Sequence, residues 1–381
     1  MILFALAPLA VLPFAWSANV KLGVAVGAAA FLFMSGATML VGVFQRHACL
    51  WRSALAEMLN RFILIALVAL LAYLNLGVVW MIGAMIVANL AWLVSMIYFA
   101  RPFIAIRPRF DWPLWKKVIS RSWPIAVSII FNLLYLKGDI LFLAYFRDAA
   151  EVGLYGAAYK IIDVLTALPV MFMGLLLPIL VSSWSANDRP EFKKRLARTF
   201  DIFMISAIPI VIGTQAVAEP LALLFAGPGF AATGSVLRWL IISIIGVFLG
   251  ALYGHTVVAL NKQKQMIWGY VAVAVLSIIG YLWLIPLYGM YGAAYVTIFS
   301  ELLIALITFL MVWRVSQALP SLLVTLKALV SAAIMFGVIQ SLPSLPVLLT
   351  VLIGALVYLG LMIFLRGLNP KELKLLIADQ S

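Results

Sequence analysis

The chain consists largely of apolar stretches, each close to the length needed to cross a lipid bilayer. A helix of about 20 apolar residues covers a ~30 Å hydrocarbon core. With 66% hydrophobic and 10% charged residues and a mean hydropathy of +1.17, a water-soluble fold could not cover this surface. The sequence therefore predicts an all-α, polytopic membrane protein of about twelve spans, at 1–17, 22–44, 62–79, 80–100, 122–146, 153–182, 199–218, 236–260, 266–286, 290–313, 325–342 and 345–365.

The 26 lysines and arginines are concentrated in alternate loops between these spans. One set of loops holds most of them, whereas the opposite set holds Lys21, Arg147 and Arg238. Because cytoplasmic loops carry the excess of basic residues, this pattern predicts that both termini are cytoplasmic. The net charge of +13 is then explained by topology and by attraction to anionic membrane lipids, and no nucleic-acid partner is expected.

Four ionisable residues lie inside two neighbouring spans: Lys137, Asp139, Lys160 and Asp163. A charge at the centre of a membrane helix costs about 2.5 to 3.5 kcal/mol on insertion scales, so four of them require pairing or a polar cavity. At ~1.5 Å per residue, Lys137 lies level with Asp163, and Asp139 with Lys160, in an antiparallel helix pair. The four residues could neutralise one another in ion pairs, and they could also line a cavity that binds substrate; the two interpretations are compatible. We treat all four as candidate substrate-binding residues.

A short repeat marks the start of two helices. GLYGAAY at 153–159 recurs as GMYGAAY at 289–295. Gly and Ala at these spacings leave a smooth face for close helix packing, and the alternative is a helix entrance that slides during an alternating-access cycle. Tyr155 and Tyr159 of the first copy are further candidates for sugar contacts, although tyrosines near a membrane surface also form aromatic belts.

The order of these elements resembles a known family. Asp139 in an apolar helix is followed by EVGLYGAAYKI, EPLALLFAGPGF at 219–230, NKQKQ at 261–265 and IPLYGMYGAAYVT at 285–297. Over most of its length the chain resembles the polysaccharide-type, or O-antigen, flippases of the multidrug/oligosaccharidyl-lipid/polysaccharide exporter superfamily. The resemblance implies a two-lobed bundle in the bacterial inner membrane. It also implies that undecaprenyl-diphosphate-linked oligosaccharide repeat units are flipped across that membrane for surface polysaccharides such as lipopolysaccharide.

The chain departs from that family in its first lobe. Four helices precede the second lobe where the family has six, so we expect an incomplete first lobe that lacks two helices. The expected organisation is a partial N-terminal lobe at 1–100, a cytoplasmic amphipathic linker at 101–121, a six-helix C-terminal lobe at 122–313, two additional helices at 314–365 and a cytoplasmic tail at 366–381.

Transport of this kind needs a driving force, for which Asp163, Glu301 and His255 are the candidate coupling residues. His255 is a candidate because an imidazole titrates near neutral pH, and each carboxylate could take a proton or a sodium ion. For Glu301 and His255 the simpler alternative is a hydrogen-bonded side chain within the packing.

Enzymatic chemistry finds no support in the motifs. The sequence shows no nucleophile with a base partner, no phosphate-binding loop and no closely spaced acidic pair. A single cysteine, Cys49, excludes a multi-cysteine metal site. We therefore predict no catalytic residues, no metal site and no cofactor.

Two alternatives to the flippase remain open. A cation-coupled multidrug antiporter of the same superfamily would share the lobes but favour acidic cavity residues, whereas here two lysines match two aspartates. The second alternative is a non-transporting, truncated membrane scaffold. The expected partners are a lipid-linked oligosaccharide, membrane lipids and, for the scaffold especially, polysaccharide-assembly proteins.

Overall fold

The computed structural model describes residue 9 and the ranges 17–47, 49–104, 111–342 and 345–368, with the backbone alone at 121–136. Within these ranges all regular secondary structure is helical, which agrees with the predicted class. The helices are α1 (Ala18–Arg46), α2 (Leu50–Tyr73), α3 (Val78–Ala100), α4 (Trp112–Phe146), α5 (Ala149–Ser185), α6 (Arg189–Ala226), α7 (Thr233–Leu240), α8 (Ser243–Ala259), α9 (Gln263–Tyr288), α10 (Met290–Ser316), α11 (Leu323–Ser341) and α12 (Val347–Phe364), with a short 3₁₀ helix at Pro228–Phe230.

Ten helical segments in the described part are long and apolar enough to cross a membrane, with α7 and α8 forming one segment. Large apolar side chains on them are exposed, among them Trp80 and Trp283, as a lipid-facing surface requires. The protein is thus a multi-pass membrane protein. The predicted span at 1–17 lies outside the described residues except for Leu9 and Ser17, and the predicted span at 122–146 falls within α4.

Two predicted helix starts are wrong because charged residues were assigned to loops. Helix α2 begins at Leu50 rather than at 62, and its charges are accommodated locally by an ion pair between Arg61 and Glu57 at 3.2 Å. Helix α6 begins at Arg189, ten residues before the predicted span at 199–218, so the basic segment ahead of that span is helical. The Asp188 side chain caps this helix by accepting a hydrogen bond from the backbone N–H of Glu191 at 3.0 Å.

Helix α6 bends near one end. Its backbone leaves the helical region at Val217, with φ −121° and ψ 15°, three residues before Pro220. A proline inside a helix removes a backbone hydrogen bond and its ring collides with the preceding turn, which explains the bend. The last turns of α6 are thereby redirected.

The chain divides into two compact units, 1–118 and 119–381; the finer predicted division into lobes, linker and additional helices stays a prediction. In the first unit α1 and α2 both pack against α3. Asn89 on α3 donates to the Ala30 carbonyl of α1 at 3.2 Å and accepts from Asn60 on α2 at 2.9 Å. These buried amides connect all three helices, as polar side chains commonly do in membrane bundles.

In the second unit α5 to α10 surround one apolar core. Helices α8 and α10 approach so closely that a Cβ at Gly246 would overlap the backbone of Glu301, which only glycine permits. Helices α11 and α12 belong to the same unit and pack on α6. The Tyr358 hydroxyl of α12 donates to the Ile205 carbonyl of α6 at 2.8 Å.

Three connections meet at one end of the second unit, which we call the α4–α5 end. Arg147, in the α4–α5 turn, donates to the carbonyls of Ile285 and Pro286 near the α9–α10 turn. Thr233, at the start of α7, donates to the Leu154 carbonyl of α5 at 3.0 Å. Hydrogen bonds therefore connect the α4–α5 turn with the last turn of α9, and the start of α7 with α5.

Candidate functional site

An ion pair connects α4 and α5 within their membrane-length segments. The Lys137 Nζ lies 2.6 Å from Asp163 Oδ1, and the two side chains are 41% and 40% exposed. The ammonium also lies 4.1 Å from the centre of the Tyr159 ring, a cation–π contact. The predicted pairing of Lys137 with Asp163 is confirmed, and the pair remains accessible from one side.

Asp139 occupies a different environment, buried at 1% exposure. Its Oδ2 accepts from the Tyr155 hydroxyl at 2.7 Å and from Thr297 Oγ1 of α10 at 3.3 Å. Its Oδ1 accepts from the Ile140 backbone N–H at 2.8 Å. One carboxyl group thus connects α4, α5 and α10 inside the core.

The predicted pairing of Asp139 with Lys160 is wrong. Residues 137 and 139 differ by about 200° around a helix of 3.6 residues per turn, so they face nearly opposite directions. Lys137 faces the accessible side, while Asp139 faces the core. Lys160 is exposed and makes no ion pair or hydrogen bond with the side chains that the structure describes.

The two candidate tyrosines lie between the accessible Lys137–Asp163 pair and the buried carboxyl group of Asp139. Tyr155 is fully buried and Tyr159 is 8% exposed; their ring centres lie 5.7 Å apart. Because they are four residues apart on α5, they share one face. Tyr155 therefore contacts the buried carboxyl group of Asp139, while Tyr159 contacts the accessible ammonium of Lys137.

Two contributors were missed by sequence reasoning. Thr297 hydrogen-bonds to Asp139 from a distant part of the chain, and Tyr281 of α9 stacks on Phe142 beside Gly138. The only signal for Thr297 was a hydroxyl residue four positions after Ala293, on the small face of the second repeat. Nothing in the sequence indicated Tyr281, because its position depends on how α9 packs.

The remaining coupling candidates lie on α10 and α8. Glu301 follows Thr297 by one helical turn and is half-buried, near enough to Tyr159 and Tyr281 for electrostatic interaction. His255 is half-buried, and its Nδ1 lies 2.7 Å from the Ala251 carbonyl in its own helix. Glu301 thus extends the polar column of Asp139 and Thr297, whereas the described contact of His255 is that of a packing side chain.

Among the side chains described here, no three His, Cys, Asp or Glu residues lie close enough together to bind a metal ion. A polytopic helical bundle with a half-exposed ion pair in its spanning segments is the class of protein that this fold and site define.

Comparison with solved structures agrees with this class. The structure of the lipid II flippase MurJ in an inward closed conformation is similar, with a TM-score of 0.77 and 16% sequence identity. The match covers 91% of this chain and 74% of that chain. At this identity the similarity shows that the two proteins share the fold of their helical bundle.

Comparison at the sequence level identifies the family. The profile of the family described as polysaccharide biosynthesis protein matches residues 1–233, more than half of the chain. The chain therefore belongs to this family, and the predicted resemblance to polysaccharide-type exporters is confirmed. A comparison with curated protein sequences found no match.

Proposed function

We propose that this protein flips undecaprenyl-diphosphate-linked oligosaccharide repeat units from the cytoplasmic to the outer leaflet of the bacterial inner membrane. Membership in a polysaccharide biosynthesis family and a fold shared with a lipid II flippase support a lipid-linked carbohydrate as the substrate. The alternating pattern of basic loops supports cytoplasmic termini. Polysaccharide-assembly proteins on either face are the proposed functional partners.

The observation that carries the proposal is the accessible pair of Lys137 and Asp163. A charged pair inside membrane-length helices is retained at an energetic cost, which favours a role in transport. At 41% exposure, the Lys137 ammonium can exchange the carboxylate for a diphosphate oxygen without unfolding the helices. A lysine is a compact charge suited to phosphate, and exposed Lys160 adds a second cation on the next helix.

The same exchange provides a route to coupling. When Lys137 turns to the diphosphate, Asp163 loses its counter-charge and becomes able to take a proton or a sodium ion. Asp163 would thus be occupied by Lys137 at rest and by the coupling cation during transport. Glu301, on the polar column of α10, is the proposed second carboxylate on the cation path.

The experiment is a flipping assay in proteoliposomes with a fluorescent undecaprenyl-diphosphate oligosaccharide, together with surface-polysaccharide export in cells. Lys137→Ala and Lys160→Ala should abolish flipping while the protein still inserts. The matched control is Lys327→Ala, which removes a half-buried lysine of α11. Its ammonium group donates a hydrogen bond to the Arg366 carbonyl at 3.3 Å, the single bond it makes within the described ranges. This control should flip normally.

Retained flipping in both Lys137→Ala and Lys160→Ala would refute the role of the two lysines in binding the diphosphate. If the wild type failed to flip the lipid but conferred resistance to cationic drugs that depended on Asp163, the protein would instead be a cation-coupled antiporter. If neither activity appeared, the scaffold alternative would replace both.

A further inference from the structure

A cavity whose lining does not include the charged pair lies at the α4–α5 end, and we call it the end pocket. It has a volume of about 560 Å³, within the range of small-molecule sites. Helices α6, α7 and α10 supply most of its walls. The lining residues are Gln215, Ser235, Arg238, Trp239, Ile242, Tyr291 and Tyr295.

Aromatic rings form one corner of the end pocket. The Trp239 and Tyr295 rings stand at 89° with centres 5.2 Å apart, and Tyr288 packs edge-on against Tyr295 at 6.4 Å. Trp239 is 44% exposed, so part of its surface is uncovered. Aromatic rings in a wet cavity offer a flat apolar surface beside polar groups, which matches the C–H face of a pyranose ring.

Hydrogen-bond acceptors lie beside this corner. Ser235 Oγ donates to the Ala232 carbonyl at 2.6 Å and lies 2.8 Å from the Tyr291 hydroxyl. Because the serine proton is used, Tyr291 donates to Ser235 and keeps its own oxygen free to accept. Gln215 Nε2 donates to the Arg238 carbonyl at 2.7 Å. In the part of the chain that the structure describes, no donor bonds the amide oxygen of Gln215, so this oxygen can accept as well.

A cation completes the cavity. The Arg238 guanidinium is exposed and forms no ion pair or hydrogen bond with any side chain in the described part of the chain. A guanidinium presents donors in a planar fork that fits a carboxylate. The acceptor oxygens suit the hydroxyl groups of a sugar, and the aromatic corner suits its C–H face. The guanidinium suits an acidic group on the same sugar.

We propose that the end pocket is a carbohydrate subsite that binds an acidic sugar, one pyranose bearing a carboxylate, of the transported oligosaccharide. This inference rests on the proposed function. The two copies of the repeat then serve two sites. Tyr155 contacts Asp139 and Tyr159 contacts Lys137, while their counterparts Tyr291 and Tyr295 line the end pocket. Because the lining of the end pocket includes neither Lys137 nor Asp163, the sugar and the diphosphate of one substrate would contact different residues.

The test is saturation-transfer NMR on the full chain in lipid nanodiscs with two probes, methyl glucuronide and methyl glucoside. The wild type should transfer saturation to the ring protons of the glucuronide and bind the glucoside more weakly. Arg238→Gln should weaken glucuronide binding by about tenfold and remove the preference over glucoside. Trp239→Ala and Tyr295→Leu should weaken both probes.

Two controls keep this result separate from transport. Trp283→Ala removes another exposed tryptophan, on α9, and should bind both probes as the wild type does. Lys137→Ala should lose flipping but keep glucuronide binding. No glucuronide binding by a wild type that flips its substrate, or equal binding by the wild type and both aromatic variants, would overturn the subsite. A wild type that binds glucuronide without flipping would refute the proposed function alone.

Discussion

The carboxylate of Glu151 occupies the space in which any side chain at Gly289 would lie. Its Oε1 accepts from the Met290 backbone N–H at 2.6 Å and so caps the first turn of α10. Gly289 itself has φ 56° and ψ −133°, a conformation that residues with a Cβ rarely adopt. Glu151 also lies 3.8 Å from Arg147, whose guanidinium bonds the end of α9. One acidic side chain thus joins the two turns at the α4–α5 end.

Gly289→Ala should destabilise the second unit strongly. Backbone strain alone costs of order 1 to 3 kcal/mol, and the new methyl group would displace the Glu151 carboxylate from Met290. The effect is measured as the melting temperature of the detergent-solubilised protein. The folded fraction that remains after heating is quantified by size-exclusion chromatography. The matched control is Gly153→Ala, the same position in the first repeat, where no described atom lies within 4 Å of an added Cβ. Equal melting temperatures for the two variants would contradict the capping role of Glu151.

The second glycine of each repeat gives an independent comparison. At Gly292 an added Cβ would overlap the backbone of Leu284 and Ile285, so Gly292→Ala should cost about 1 to 3 kcal/mol by overpacking. At Gly156 no described neighbour lies within 4 Å, and Gly156→Ala in a helix should be neutral or slightly stabilising. The same thermal assay tests both. A tolerated Gly292→Ala would show that α9 and α10 can separate at this point.

Lys137 and Asp163 should behave differently in stability and in transport. Because both side chains are about 40% exposed, removing one partner should cost roughly 1 kcal/mol or less. The double variant Lys137→Ala with Asp163→Ala should recover most of that loss, since no unpaired charge remains, yet it should still fail to flip the substrate. Melting temperature and flipping rate, measured on all three variants, separate the two effects. Recovery of flipping in the double variant would mean that the pair is structural.

Sequence reasoning succeeded where the position along a helix axis was enough. Apolar length predicted the membrane class, and residue counts from a shared turn predicted that Lys137 lies level with Asp163. It failed where the angle around the helix mattered, since Asp139 lies at nearly the same depth as Lys137 but faces the core. It also failed for Thr297, because only the packing of α10 against α4 brings that hydroxyl to Asp139. The depth of a residue along a membrane helix can be counted from the sequence. The direction of its side chain becomes meaningful only when the neighbouring helices are known.

Tyr155→Phe should test whether the buried carboxyl group of Asp139 is held by its hydroxyl partners. Removing the hydroxyl takes away the 2.7 Å hydrogen bond to Asp139 and leaves a buried polar group with one fewer donor, which costs about 1 to 3 kcal/mol. The matched control is Tyr253→Phe on α8, a 3% exposed tyrosine whose described contact is an edge-on packing with Phe309 at 5.1 Å. Thermal unfolding should show a loss for Tyr155→Phe and little change for Tyr253→Phe. Adding Asp139→Asn to Tyr155→Phe should restore part of the stability, because a neutral amide tolerates the loss of a hydrogen-bond donor better than a carboxylate does. If stability is not restored, Asp139 is held by Thr297 and by the backbone N–H of Ile140 instead.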